Sequence, residues 1–369
     1  NVISTMLQSF IAMAIITVLW VVIGFSLAFG DDIGGIIGSP GTFFMLDGIL
    51  SEGPWPGAPS IPLVLFAMFQ LKFAIITPAL ITGAFAERIK FTGYILFICL
   101  FSLFIYSPLA HATWHPDGLL ANFGVLDFAG GTVVHMSAGW AALVSALYLK
   151  KRNDPAHKPA HISYVILGTG LLWFGWFGFN AGSAFAADGL AATALATTTC
   201  ASAAAAFTWI IFDAVRGKKP SAVGTCIGAV VGLVAITPAA GFVSVTHSLA
   251  VGIVSSIVSN IFVEIRTRTG IDDTLDVFPC HGIGGMMGMI LTGVFAHQSI
   301  NSAVSTNGLI FGEAGLFVTH LVALVVVSIF VIAGTWILLK VTDFIIPLRV
   351  TPEEEQEGLD LSQHGETLL

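Results

Sequence analysis

The chain has 369 residues, of which 56% are hydrophobic and only 10% are charged, and its mean hydropathy is +0.91. A soluble domain is roughly a quarter charged, so this composition excludes a soluble protein and indicates an integral membrane protein. The net charge of -8 comes largely from an acidic end, and the nearly neutral remainder offers no basic face for nucleic acid. The acids near the end are Glu353, Glu354, Glu355, Glu357, Asp360 and Glu366.

Ten apolar runs have the length of roughly 20 residues that a helix needs to cross about 30 Å of hydrocarbon. The alternating pattern of β-barrel strands is absent, so the sequence predicts an all-α integral membrane protein. The predicted spans are 5–29, 61–86, 91–114, 129–149, 162–185, 190–215, 222–240, 247–265, 277–296 and 315–345.

Lysine and arginine mark every second connection between these spans, which predicts that those connections are cytoplasmic. The intervening connections carry no lysine or arginine and are predicted to lie outside. Both ends are then expected to be cytoplasmic, with a transmembrane domain over 1–349 and an acidic cytoplasmic tail over 350–369. The marking residues are Arg88, Lys90, Lys150, Lys151, Arg152, Lys158, Arg216, Lys218, Lys219, Arg266, Arg268, Lys340 and Arg349.

The four cysteines give no sign of a cofactor or metal. They lie far apart in apolar stretches without a Cys-x-x-Cys pair, so neither a disulfide framework nor a zinc site is indicated. We expect no cofactor and interpret these residues as small core side chains. They are Cys99, Cys200, Cys226 and Cys280.

Two histidines lie in similar segments five spans apart. His135 and His281 each follow a Leu-Asp pair and a short stretch, and each precedes small residues. A repeat with an odd number of spans places its copies in opposite orientations, so the pattern predicts an inverted repeat with a shared site at the midplane. The structural alternative for either histidine is a ring held by a backbone carbonyl between helices.

Several aromatic residues and one hydroxyl converge on the outer half of the predicted bundle. Asp127 is a candidate N-cap of the fourth span, which would place His135 about 12 Å further into the membrane. For the aromatic residues, packing or a belt at the membrane interface is the alternative. The converging residues are Phe73, Trp114, Phe179 and Ser183.

This arrangement suits a small cation that can lose a proton. Aromatic faces attract cations by about 0.5 to 2 kcal/mol, but a bare ion in apolar surroundings costs tens of kcal/mol. Desolvation favours the neutral form of an ammonium-type group, and neighbouring neutral imidazoles can accept its proton. K⁺ could not use this route, and no carbonyl-lined potassium filter is present in the sequence.

Four segments in the body of the sequence form recognisable motifs. They are Phe85-Ala86-Glu87-Arg88, Leu126-Asp127-Phe128-Ala129-Gly130-Gly131 through His135, Gly175-Trp176-Phe177-Gly178-Phe179-Asn180-Ala181-Gly182-Ser183, and Asp276-Val277-Phe278 through His281-Gly282. The tail adds Leu348-Arg349-Val350, Glu357-Gly358-Leu359-Asp360 and His364-Gly365-Glu366. Through these motifs the sequence resembles a known family, the ammonium transporter (Amt/Mep/Rh) family, along almost its whole length.

The resemblance implies an eleven-helix fold with an inverted five-plus-five repeat, in a homotrimer with one pore per subunit in the cytoplasmic membrane. The substrate would be ammonium or ammonia. The family's cytoplasmic tail docks on neighbouring subunits and can be engaged by PII-type signalling proteins. Asn1-Val2 matches the start of the second family helix, so ten of the eleven helices are expected here.

The resemblance also assigns roles to residues. Those at the outer ammonium-recruitment site are Trp114, Phe73 and Ser183, with Asp127 supporting the site by its charge and by helix capping. Phe73 and Phe179 correspond to a stacked phenyl gate, and His135 and His281 to the twin pore histidines. An acid placed like Asp127 can equally be a purely structural cap.

Lys72, beside the gate residue at membrane depth, departs from an otherwise apolar pattern. A lysine here either extends to the outer surface or a subunit contact, or tunes the approach of the cation.

Three other functions compete with transport. Some family relatives couple an ammonium-binding body to a cytoplasmic signalling domain, so an ammonium sensor is the alternative. An intramembrane redox protein with His135 and His281 as haem ligands lacks any further sign of a porphyrin pocket. An intramembrane protease lacks a His-Glu-x-x-His motif. The sequence therefore predicts a protein that is not an enzyme.

Overall fold

The computed structural model describes residues 1–155, 159 and 161–367, and these form an all-α bundle of ten membrane helices. The predicted fold class is confirmed. Lys158, one of the cations that mark the cytoplasmic connections, lies outside the described residues. The helices are α1 (Val2–Phe29), α2 (Leu63–Phe85), α3 (91–114), α4 (Gly131–Leu149), α5 (Ile162–Ala184), α6 (Gly189–Val215), α7 (Ala222–Ile236), α8 (Val245–Thr269), α9 (Phe278–Phe295) and α10 (Gly315–Ile345).

Helix α7 is shorter than the sequence predicts. The predicted span 222–240 becomes a helix of 15 residues, which rises only about 22 Å. The helix ends because Pro238 provides no backbone N–H to continue the helical hydrogen bonds. Within the described part of the chain, the other nine helices are long and apolar enough to cross a membrane. The short helix leaves irregular backbone inside the bundle, where such backbone can line a cavity.

Helices α4 and α9 share an uncommon beginning. Both open with a π-helical segment, Gly131–Met136 in α4 and Phe278–Ile283 in α9, and each segment contains one of the two predicted pore histidines. Five chain reversals separate the two helices, so they run antiparallel, as an inverted repeat requires. Single π-helical turns are rare and are found frequently at functional sites.

Helices α4 and α9 cross at two glycines. A Cβ atom built on Gly139 would lie 2.2 Å from the Cα and N atoms of Gly282. No side chain larger than hydrogen fits at this contact. The glycines therefore let the two backbones meet and bring the histidine-containing segments together.

The connections predicted to lie outside, called the outer connections below, are mostly irregular. They contain an antiparallel pair of two-residue strands, β1 (Asp32–Ile33) and β2 (Ile37–Gly38), in which Asp32 pairs with Gly38. The remaining short elements are two 3₁₀ turns, Phe44–Leu46 and Leu309–Phe311, and a helical turn, Leu119–Asn122.

The tail folds back onto the body of its own chain. It forms two short helices, α11 (Pro352–Glu357) and α12 (Leu359–His364), and α11 begins with a capping box between Thr351 and Glu354. The carboxylate of Asp360 accepts the backbone N–H of Ser4 at 2.7 Å. The end of the chain is thereby fixed against the start of α1.

Candidate functional site

Three aromatic rings from three helices form the outer part of the site. The ring centroids of Phe73 on α2 and Trp114 on α3 lie 5.6 Å apart at 73°, and those of Phe73 and Phe179 on α5 lie 4.6 Å apart. The two phenyl rings touch at an interplanar angle of 55°, so the expected parallel stack is instead a tilted contact. Edge-to-face and tilted pairs are favoured because ring faces are negative and ring edges positive.

Hydrogen bonds orient the polar atoms of this aromatic group. Trp114 donates its Nε1–H to the backbone oxygen of Asp127 at 3.0 Å. The Ser183 hydroxyl donates to the backbone oxygen of Phe179 at 2.8 Å. Its hydrogen is therefore committed within α5, and its oxygen lone pairs remain as acceptors. Such an oxygen beside aromatic faces suits a cation that carries N–H donors.

The Asp127 carboxylate caps the start of α4. Its two oxygens accept the backbone N–H groups of Gly130, Gly131 and Thr132 at 2.6–2.8 Å and the Thr132 hydroxyl at 2.5 Å. The structure thus gives this residue the capping role that the sequence indicates. Because its carbonyl also holds Trp114, Asp127 connects the helix that carries His135 to the aromatic group.

The two histidines meet directly behind the phenyl rings. The Nδ1 atoms of His135 and His281 are 3.3 Å apart, and both side chains are buried. The ring of His135 lies 5.9 Å from that of Phe179 and within 15° of parallel to it. The aromatic group and the imidazole pair therefore form one continuous path.

A hydrogen-bond chain that the sequence analysis missed fixes the protonation pattern of this pair. Thr237, at the broken end of α7, donates its hydroxyl hydrogen to the Leu233 oxygen at 2.8 Å and accepts Nε1–H of Trp176 at 2.9 Å. His135 Nε2, 3.3 Å away, must then donate to the Thr237 oxygen. Nδ1 of His135 is consequently the acceptor, and His281 donates its Nδ1–H to it. Nε2 of His281 is left as the bare ring nitrogen.

The Leu-Asp pair that precedes His281 does not supply the counterpart of Asp127. Asp276, of the second Leu-Asp pair, instead receives the Nε–H of Arg266 at 2.8 Å. Asp273 takes the capping position, since its Oδ2 accepts the backbone N–H of Phe278 at 2.7 Å. The available signal was the spacing: Asp127 precedes His135 by eight residues, and Asp273 precedes His281 by eight.

Lys72 lies on the outside of the bundle. Its side chain is exposed, whereas those of Leu71 and Phe73 on either side are 2% exposed. This orientation favours contact with lipid headgroups or another subunit over a direct role in the path.

The Glu87-Arg88 motif belongs to a charged network on the opposite side of the protein. Arg152 donates from Nε and Nη2 to both oxygens of Asp272 at 2.8 Å and from Nη1 to Glu87 at 2.6 Å. Burial alone would raise the pKa of Asp272, but the hydrogen bonds from Arg152 and the charge of Arg88 lower it to about 2. This network joins three connections and has a structural role.

Comparison with known proteins identifies the relatives of this architecture. The Ammonium Transporter Family profile matches residues 1–368. The chain is 44% identical over 371 residues to an ammonium transporter of Bacillus subtilis, covering 99% of this chain and 90% of the relative. An Aquifex aeolicus ammonium transporter is also 44% identical, with 99% and 85% covered.

Two solved structures extend the comparison. Mep2 of Saccharomyces cerevisiae superposes with a TM-score of 0.89 at 34% identity, covering 95% of this chain and 80% of that chain. A structure described as a sensor Amt protein gives a TM-score of 0.87 at 28% identity, with 99% and 90% covered.

Proposed function

Because the chain belongs to the ammonium transporter family, a family of multi-pass membrane transporters, we propose that it moves ammonium by separating NH₃ from its proton inside the path described above. The observation that carries this proposal is the contact of His135 with His281 immediately behind the ring of Phe179. An apolar constriction followed by paired imidazoles passes a neutral molecule and a proton but rejects a bare ion.

Recruitment takes place at the aromatic group. NH₄⁺ lies against the faces of Trp114 and Phe73, and one of its N–H groups donates to the Ser183 oxygen. Each cation–π contact supplies about 0.5–2 kcal/mol. This attraction concentrates the cation at the outer mouth, but it is too weak to offset complete dehydration of an ion.

Deprotonation accompanies passage through the phenyl gate, because the imidazole pair that accepts the proton lies directly behind the phenyl rings. One N–H bond of NH₄⁺ breaks, its electron pair stays on nitrogen, and the proton goes to the imidazole pair, whose bare nitrogen is Nε2 of His281. Neutral NH₃ passes the phenyl gate formed by Phe73 and Phe179. The imidazolium then returns the proton on the inner side, so one positive charge crosses for each NH₃.

The surroundings of the transporter are part of the same proposal. We infer a homotrimer in the cytoplasmic membrane, a transmembrane domain over 1–349, and a cytoplasmic tail over 350–369 that is available to a PII-type signalling protein. Helix α5 supports a subunit contact, because most of its side chains are not buried within one chain, with Trp176, Asn180 and Ser183 as the exceptions. Native mass spectrometry of the detergent-solubilised protein should show three chains, and a monomer would contradict the assembly.

Ammonium sensing is the second candidate, favoured by the similarity to the sensor Amt structure. In that case the aromatic group and the histidines serve as a binding site, and a cytoplasmic partner reads its occupancy. Sensing and transport differ in one measurable respect, since a sensor binds ammonium without sustained charge movement.

The deciding experiment records current from reconstituted protein on solid-supported membranes after an ammonium concentration jump. We expect a sustained, saturable current that disappears in the double variant His135→Ala plus His281→Ala. His297→Ala, in an outer connection, is the matched control and should retain the current. Binding without sustained current in the unmodified protein would contradict transport and support sensing.

A further inference from the structure

A second group of polar side chains lies in the outer connections, apart from the aromatic group. One nitrogen each of His111 and His115 and one carboxylate oxygen of Asp32 lie within 4.8 Å of one another. The sequence analysis predicted no metal site and assigned neither histidine a role. Both histidine side chains are largely buried, whereas Asp32 is exposed.

The hydrogen bonds of His111 require an additional positive charge at this position. Its Nδ1 is 3.0 Å from the backbone oxygen of Ala28, which can only accept, so Nδ1 carries a hydrogen. In the neutral ring Nε2 is then a bare lone pair, yet it lies 2.9 Å from Oδ1 of Asp32. Two acceptors at this distance need a cation that both can bind, either a proton between them or a metal ion beside them.

The remaining geometry favours a metal ion over a proton. His111 and His115 are four residues apart at the end of α3, the i, i+4 spacing by which a helix presents two imidazoles to one Zn²⁺. Their rings lie nearly parallel, with centroids 4.3 Å apart. The bond from His111 Nδ1 to the Ala28 carbonyl is the kind that orients metal-binding histidines. A protonated His111 ring stacked on the His115 ring would be less favourable than one metal ion that both rings bind.

We propose that Asp32, His111 and His115 bind one divalent transition-metal ion of the Zn²⁺ type. Two imidazoles and one carboxylate are a typical zinc ligand set that leaves one coordination position for water. His115 Nδ1 currently accepts the backbone N–H of Asp117 at 3.1 Å, and coordination through this nitrogen replaces that bond.

The surroundings of the group suit a cation that arrives from solution. An open cavity of about 550 Å³ reaches His115 and is also lined by Asp31 and Glu52. Its charged lining residues are acidic, as are those of the outer connections in general.

The test measures Zn²⁺ binding to the full chain in detergent after removal of metals by a chelator. Isothermal titration should give one saturable site per chain, and the zinc K-edge spectrum should show nitrogen and oxygen ligands at about 2.0–2.2 Å. Asp32→Asn and His115→Gln should each weaken binding at least about tenfold. Both replacements keep an acceptor for the backbone N–H that the native side chain receives, so the local fold is retained.

His297 is a half-buried histidine in another outer connection, and His297→Gln is the control that should bind Zn²⁺ like the unmodified protein. Equal affinity in all three variants would overturn the proposal, because zinc would then bind elsewhere. Absence of saturable binding would also overturn it and identify the cation between His111 and Asp32 as a proton. Neither result depends on ammonium current, so failure here leaves the proposed transport function intact.

Discussion

The two halves of the path place a histidine in the same way but hold it with different strength. Each half uses an aspartate eight residues before the histidine to accept backbone N–H groups at the start of a π-helical segment. Asp127 receives four hydrogen bonds. Asp273 is fully buried, and its Oδ1 has no hydrogen-bond partner among the described residues. The capping carboxylate of the outer half is therefore fully hydrogen-bonded. The capping carboxylate of the inner half retains one buried oxygen without a hydrogen bond.

Removing the two capping carboxylates should have the largest effect on stability and current, and the two losses should differ in size. Asp127→Ala leaves several buried donors without a partner, each costing about 1–3 kcal/mol, and releases the start of α4. We expect a large drop in thermal unfolding temperature and loss of current, with a smaller drop for Asp273→Ala. Asp188→Ala, which removes an exposed cap bond to Ala191, should cost about 1 kcal/mol. Equal losses for Asp127→Ala and Asp273→Ala would show that the halves are held alike.

The unsatisfied carboxylate predicts a pH dependence confined to the inner half. Burial raises the pKa of Asp273 to about 6, and the charge of Asp276 adds to this. The folded protein holds this proton more tightly than the unfolded chain, so the stabilisation is complete below about pH 4 and is lost as the pH rises through 6. The loss is about 3 kcal/mol by pH 7.

Asp273→Asn removes this titration. Relative to the unmodified protein, the variant should gain stability between about pH 4 and pH 7, measured as the difference in unfolding temperature across that range. Parallel pH profiles for the two proteins would refute the assignment.

The glycine contact between the halves should tolerate no added atom. Gly139→Ala places a methyl group against the backbone of Gly282, and overpacking of this kind costs about 1–3 kcal/mol. We expect lower stability and reduced current, since the histidines are pushed apart. A Cβ on Gly189, at the exposed start of α6, meets no heavy atom within 4 Å, so Gly189→Ala should behave like the unmodified protein.

The smallest effect is expected at Ser183, which has no counterpart in the inner half. Ser183→Ala removes one acceptor for ammonium, and a hydrogen bond of about 0.5–1.5 kcal/mol corresponds to a two- to tenfold higher ammonium concentration for half-maximal current. The maximal current should not change. A fall in maximal current at unchanged half-saturation would place Ser183 in the path itself. Ser51→Ala, in an exposed outer turn, serves as the control.

The helices were predictable because hydropathy over 20 residues reflects the cost of placing polar groups in lipid. Only α7 was overestimated, because Ala239 and Ala240 extend the apolar run past Pro238, at which the helix has already ended. Phe73, Trp114, Phe179 and Ser183 could be placed in the outer half from the position of each residue along its span.

Hydrogen-bond partners were much harder to predict. Thr237 has its role because α5 and α4 both pack beside the end of α7. The spacing of residues in the sequence does not reveal this packing. Asp273 was missed because local sequence similarity favoured Asp276, although the distance to the histidine pointed to Asp273. His111 and His115 were visible as an i, i+4 pair, but their third partner, Asp32, comes from a distant strand.

The crossing of α4 and α9 at Gly139 and Gly282 also acts as a pivot. Backbones already in contact cannot be compressed further, so a change in bilayer thickness or lateral pressure tilts the two helices about this point. His135 lies one helical turn from the pivot, and His281 is adjacent to it. Because both residues are this close to the pivot, a tilt of the helices changes the distance between the two imidazoles little. We therefore expect the imidazole pair to keep its geometry in membranes of different lipid composition.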